Sequence, residues 1–140
     1  MREPALTAAE VAAFVNEVFP QQKGVFELVD VQSMRATVRQ PIRQEHLRPG
    51  GTVSGPTLFT IADCAFYMAV LAMIGREALT VTSNLNITFL RKPPVAPLRA
   101  EARILKLGRL LASGDVLVFS EALADPVAHA STTYAIPPRA

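Results

Sequence analysis

The sequence predicts an α+β fold in which a curved antiparallel sheet wraps one long helix, and three observations lead there. The segment from Pro56 to Ile74 is apolar or small on every side apart from Thr57, Thr60 and Asp63. A succession of strand-like segments follows it, the first of them strictly alternating. Pro- and Gly-containing turns separate these segments. A helix without a polar face must be covered on all sides, and consecutive strands joined by short turns pair antiparallel into a sheet that can curl around it.

In chain order, Thr7-Ala8-Ala9-Glu10 has the form of a capping box, predicting a short helix to about Phe19 that Pro20 ends. Val25 to Val31 and Met34 to Val38 are rich in apolar and β-branched residues around Gln32-Ser33, so they read as one bent strand or two short ones. Arg48-Pro49-Gly50-Gly51 is a loop by composition. Ser54-Gly55-Pro56 then starts the long helix, with a serine cap and a proline in the first turn, and Gly75 stops it.

Leu79 to Phe89 alternates, with Leu79, Val81, Ser83, Leu85, Ile87 and Phe89 on one face and Thr80, Thr82, Asn84, Asn86 and Thr88 on the other. After Pro93-Pro94 and Pro97 come strands over Leu98 to Leu107 and Leu110 to Ala122, with a turn near Gly108. Asp125-Pro126 marks the next turn, and Val127 to Ile136 is the last strand. No repeat or linker divides residues 1–140, so one domain is expected. A single helix enclosed by a curled sheet is the hotdog architecture.

Composition narrows the function. The chain has 140 residues, is 50% hydrophobic and 19% charged, and carries a net charge of +2. Its Lys and Arg residues are scattered, which makes nucleic acid an unsuitable partner. The lone Cys64 permits no internal disulfide, and His46 and His129 have no zinc spacing, so a reducing cytoplasm and no metal are expected. The start Met1-Arg2-Glu3-Pro4 lacks the pattern of a secretory signal. The long helix approaches the roughly 20 residues that span a bilayer, but Asp63 within it and the sheet-like segments after it argue against a membrane.

Asp63 is the only charged side chain between Arg48 and Arg76. A carboxylate in so apolar a helix is costly unless it is hydrogen-bonded or has an altered pKa, and in a partly dry site it can act as general base or nucleophile towards an activated carbonyl. At the start of the same helix, the Gly55 amide can be approached closely and carries the positive end of the helix dipole, which suits an oxygen that becomes negative during reaction. Eight residues of helix separate the two by about 12 Å, too far for one acyl carbon to meet both. Two helices running in opposite directions resolve this, with Gly55 of one chain facing Asp63 of another across a twofold dimer.

The segments Gly-Gly-Thr-Val-Ser-Gly-Pro-Thr-Leu-Phe-Thr-Ile-Ala-Asp at 50 to 63, Asn84 to Arg91, and Gly108-Arg109 together resemble the PaaI-like acyl-CoA thioesterases of the hotdog family. The resemblance extends from about Val25 to Ile136. It implies hydrolysis of acyl-CoA, with Asp63 as nucleophile or general base, the Gly55 amide polarising the thioester carbonyl, and dimers that pair into tetramers. CoA is then part of the substrate and no separate cofactor is implied. Many relatives have His-Gly-Gly where this chain has Ser54-Gly55-Pro56, and Gln or Asn about where Arg48 stands. Ser54 can still offer a hydroxyl. Tyr67 lies where one branch has a threonine that positions water. Arg91, Lys92 and Arg109 lie at strand ends where relatives bind CoA phosphates, and Phe59, Phe66 and Met68 suit an apolar acyl group. Two other readings stand beside hydrolysis: a hotdog dehydratase, which would need a catalytic histidine, and a non-catalytic acyl-CoA-binding domain.

Overall fold

A computed structural model describes residues 2–138, and among these are eight strands, two α-helices and two short 3-10 turns. Helix α1 is Ala8–Val18, opened by the expected capping box: Thr7 accepts from the Glu10 amide and Glu10 accepts from the Thr7 amide. Strands β1 (Glu27–Gln32) and β2 (Arg35–Gln40) form a hairpin through Ser33 and Met34. A two-stranded ladder of β3 (Leu47–Arg48) and β4 (Thr52–Val53), absent from the sequence reading, closes the loop before helix α2 (Gly55–Ile74). Strands β5 (Val81–Phe89), β6 (Leu98–Leu107), β7 (Leu111–Ser120) and β8 (Ala128–Ala135) complete the order.

Six strands form one antiparallel sheet in the order β1-β2-β6-β7-β8-β5. Consecutive strands joined by short turns pair antiparallel as expected, β1 with β2, β6 with β7 and β7 with β8, but β5 and β6 do not lie side by side. The proline-rich connection from Leu90 to Pro97 cannot make a tight hairpin, so β5 crosses to the far edge and pairs with β8.

Helix α2 lies against the concave face. Ala100 and Ala102 of β6, Ala112 of β7, and Ala128 and Ala130 of β8 are all buried there, and their small side chains let the helix approach. Phe66, Leu58, Ile61 and Leu71 fill the space between them. By length and composition α2 could cross a membrane, but most of its surface is buried within the fold. Helix α1 covers what the sheet leaves, burying Val11 and Val15.

Gly114 of β7 marks the tightest packing. A Cβ there would lie 2.0 Å from the Arg103 carbonyl oxygen and 2.7 Å from Phe66 Cε1. One of these obstacles is backbone and cannot rotate away. Gly114→Ala is therefore expected to destabilise the protein by about 1–3 kcal/mol, the range for overpacking a core, measured as a lowered urea midpoint at unchanged slope.

Candidate active site

Ser54 caps α2. Its Oγ accepts from the Thr57 amide (3.3 Å) and lies 2.8 Å from Thr57 Oγ1, which donates to the His46 carbonyl. The Ser54 hydroxyl thus serves the helix cap, on a residue that also lines the cavity described next. Pro56 has no amide proton and Ser54 takes the Thr57 amide, so Gly55 keeps the one free donor among the first three residues of the helix. The Phe89 ring lies over Gly55, where an added Cβ would meet Cζ at 3.2 Å.

This donor opens into a cavity of about 280 Å³ lined in part by Arg48, Ser54, Gly55, Phe89, Arg91 and Lys92. Three of the basic residues singled out in the sequence therefore gather here. Arg91 donates to the Pro126 carbonyl at 2.5 Å, which fixes its direction, while Lys92 is exposed. Arg109 stands apart. It lies in the β6–β7 turn, at the end of the sheet where Leu111, Ala135 and Val81 align, whereas Arg91 follows the other end of β5. The length of β5 separates these ends by roughly 25 Å, so one chain does not bring Arg109 to the Gly55 cavity.

Asp63 lines a second cavity, of about 360 Å³, walled by Val18 and Phe19 at the end of α1, by Cys64 and Tyr67 of α2, and by Thr80, Val81, Thr82 and Tyr134. It is not the unpartnered carboxylate that an apolar helix suggests. Thr82 donates to Asp63 Oδ1 at 2.7 Å, and the Tyr134 hydroxyl lies 2.5 Å from Oδ1 and 2.9 Å from the Asp63 carbonyl oxygen. Both donors escaped the sequence reading.

Thr82 escaped because β5 is not a regular strand. Its register shifts between Thr82 and Asn84, leaving Ser83 as a bulge. The extra residue reverses the alternation. Leu85 and Ile87 pack on the core as expected, but before the bulge Thr80 is buried and the hydroxyl of Thr82, on a residue that is itself exposed, turns to Asp63, while Leu79 and Val81 are exposed. Thr80 is buried with its Oγ1 unpaired among the described residues, a free polar atom in the cavity wall.

Tyr67 donates to the Ala78 carbonyl (3.2 Å), so its proton is used on the backbone instead of on water, and burial pushes its phenol above the usual range. The Cys64 thiol is pushed up to about 12, by burial first and by the Asp63 charge second, which keeps it an inert core residue. The histidines have partners that the sequence did not indicate. His46 accepts from the Arg43 amide, and His129 lies 3.1 Å from Asp115 on the outer face of the sheet.

The sequence matches the family described as the thioesterase superfamily over residues 50–126. A solved structure from Silicibacter sp., provisionally described as a thioesterase, is 47% identical, with a TM-score of 0.90 and coverage of 97% of this chain and 95% of that one. The phenylacetic acid degradation protein PaaI of Thermus thermophilus, solved as a mutant, is 25% identical with a TM-score of 0.74, covering 84% of this chain and 99% of that one. A protein of Saccharolobus solfataricus provisionally named an esterase is 28% identical over 100 residues, 67% of this chain and 70% of that protein.

Proposed function

Because the chain belongs to the thioesterase superfamily, as a PaaI-like hydrolase of hotdog fold, we propose that it hydrolyses acyl-CoA thioesters at two equivalent sites across a twofold dimer. Each site takes Asp63 from one protomer and the Gly55 amide from its partner. The observation that carries this reading is the separation of the two groups into different cavities at opposite ends of one edge strand, whose outer side has no partner among the described residues.

The edge explains how they would meet. Thr82, near the start of β5, is bonded to Asp63, and Phe89, at its end, covers Gly55. The outer edge of β5 has no strand partner, and Val81 and Phe89 are 54% and 52% exposed, an edge that a second chain can cover. Antiparallel pairing of two β5 strands about a twofold axis sets the start of one beside the end of the other. That carries Asp63 of one protomer towards Gly55 of the partner subunit. Leu111 and Leu117, exposed on the outer sheet face, support a further pairing of dimers.

In such a site the Gly55 amide donates to the thioester oxygen, which gains negative charge as the carbonyl carbon becomes tetrahedral. Either Asp63 takes a proton from a water whose oxygen adds to that carbon and passes it to the sulfur as the C–S bond breaks, or Asp63 itself attacks, the C–S bond breaks to release the CoA thiolate, and water then hydrolyses the acyl-Asp anhydride to the free acid, its proton going to the thiolate. Arg48, Arg91 and Lys92 at the mouth of the Gly55 cavity suit the CoA phosphates. The reading needs no separate cofactor, and it places the enzyme in the cytoplasm.

Thiol release from a panel of acyl-CoAs and from the matching N-acetylcysteamine thioesters tests the substrate class. The double variant Arg91→Glu, Lys92→Glu is expected to raise KM for acyl-CoA on the order of tenfold or more, about 1.4 kcal/mol or more of lost charge pairing, and to leave the truncated thioesters unchanged. No release from any acyl-CoA by a correctly assembled wild type overturns the reading.

A further inference from the structure

We propose that Tyr134 is a positioning residue for Asp63: its hydroxyl, together with that of Thr82, occupies Oδ1 and leaves Oδ2 as the reacting oxygen. This rests on the role of Asp63 proposed above, and it concerns a residue on the last strand, far from the motif that carries the family match.

The geometry is one-sided. Both hydroxyls converge on Oδ1, at 2.5 Å from Tyr134 and 2.7 Å from Thr82, and nothing among the described residues donates to Oδ2. Short O–H···O⁻ contacts of this length are charge-assisted and stronger than neutral hydrogen bonds. Two of them to one oxygen restrict rotation of the carboxylate, which α2 alone would leave free about its side-chain torsions. The single Tyr134 proton is shared with the Asp63 carbonyl oxygen, at 2.9 Å the longer of its two contacts, which sets β8 against the backbone of α2 at the same residue.

Tyr134 is itself well held. It is 2% exposed and packs on two aromatic rings of α2, Phe66 with centroids 5.5 Å apart and Tyr67 at 6.1 Å. Burial first, and then the Asp63 charge, push its phenol far above the usual range, so it remains a neutral donor at any working pH. The groups facing Asp63 are Cys64 and Tyr67 from α2, Thr80 and Thr82 before and within β5, Tyr134 from β8, and Val18 and Phe19 from the end of α1. None of these carries a full charge at neutral pH. The two hydroxyls are therefore the polar groups that fix the carboxylate, both at Oδ1.

Tyr134→Phe keeps the ring and removes the donor. The first readout needs no substrate: the ¹³Cγ resonance of Asp63, assigned by its absence in Asp63→Asn, is compared at neutral pH between the wild-type and Tyr134→Phe dimers. Loss of the donor is expected to shift the resonance and to broaden it as the carboxylate gains rotational freedom. The second readout is hydrolysis, where kcat should fall about 10- to 100-fold with KM within twofold. Thr82→Val, at a more exposed position, removes the other donor to the same oxygen and should shift the resonance in the same direction, so it serves if Tyr134→Phe does not fold. An Asp63 resonance unchanged in both variants overturns the proposal. An inactive wild type overturns the thioesterase reading alone, because the resonance is read independently of it.

Discussion

Asp63→Asn is expected to lower kcat for thioester hydrolysis by three to four orders of magnitude, the scale seen when a general base or nucleophile is removed. The substitution is nearly isosteric, and the amide oxygen can still accept from Tyr134 and Thr82 at the Oδ1 position. Helix α2 is otherwise held by apolar contacts along its length, so the fold and the assembly should survive. Loss of activity at unchanged thermal midpoint and unchanged oligomer size places Asp63 in the chemistry. A variant within tenfold of the wild type removes it.

The second large effect comes from mixing subunits. If every site joins Asp63 of one protomer to Gly55 of its partner, a protein defective in either residue is inactive as a homodimer, yet a heterodimer of the two has one intact site. Gly55→Val is suited to the second role, because its side chain would press on the Phe89 ring and crowd the amide. Co-refolding equal amounts of Asp63→Asn and Gly55→Val should restore about a quarter of the wild-type activity, since half of the random dimers are mixed and each has one of two sites. Each protein refolded alone should stay near zero. Absence of recovery in mixtures that demonstrably contain heterodimers excludes a shared site.

Much of this was legible in the sequence, for physical reasons that can be named. An apolar helix without a polar face leaves few architectures open, and Pro56 with Ser54 located its start. The capping box at Thr7 is a local interaction, so it survived intact. Asp63 stood out because charge is costly in such surroundings. What stayed hidden depends on tertiary placement. The crossing of β5 to the sheet edge follows from a proline-rich connection whose destination no local pattern records. Tyr134 on β8 is 71 residues from Asp63, and an alternating strand alone does not tell which tyrosine will meet a carboxylate. Arg109 seemed equivalent to Arg91 because both end strands, but strand ends point two ways.

The bulge at Ser83 gives β5 something like a reading frame. On its C-terminal side the strand offers leucine and isoleucine to the core, and on its N-terminal side it offers threonines to the carboxylate, although the written alternation never changes. Pairing Ser83 regularly, with no residue removed, would exchange the inner and outer sets before it, turning Thr80 and Thr82 outward and Leu79 and Val81 inward. The wall around Asp63 would then be hydrocarbon with one donor fewer. Deleting Ser83 would instead set Thr82 beside Asn84, as their partners Tyr134 and Thr133 already stand on β8, and keep both threonines inward. The phase in which the strand is presented thus depends on one extra residue that belongs to neither face.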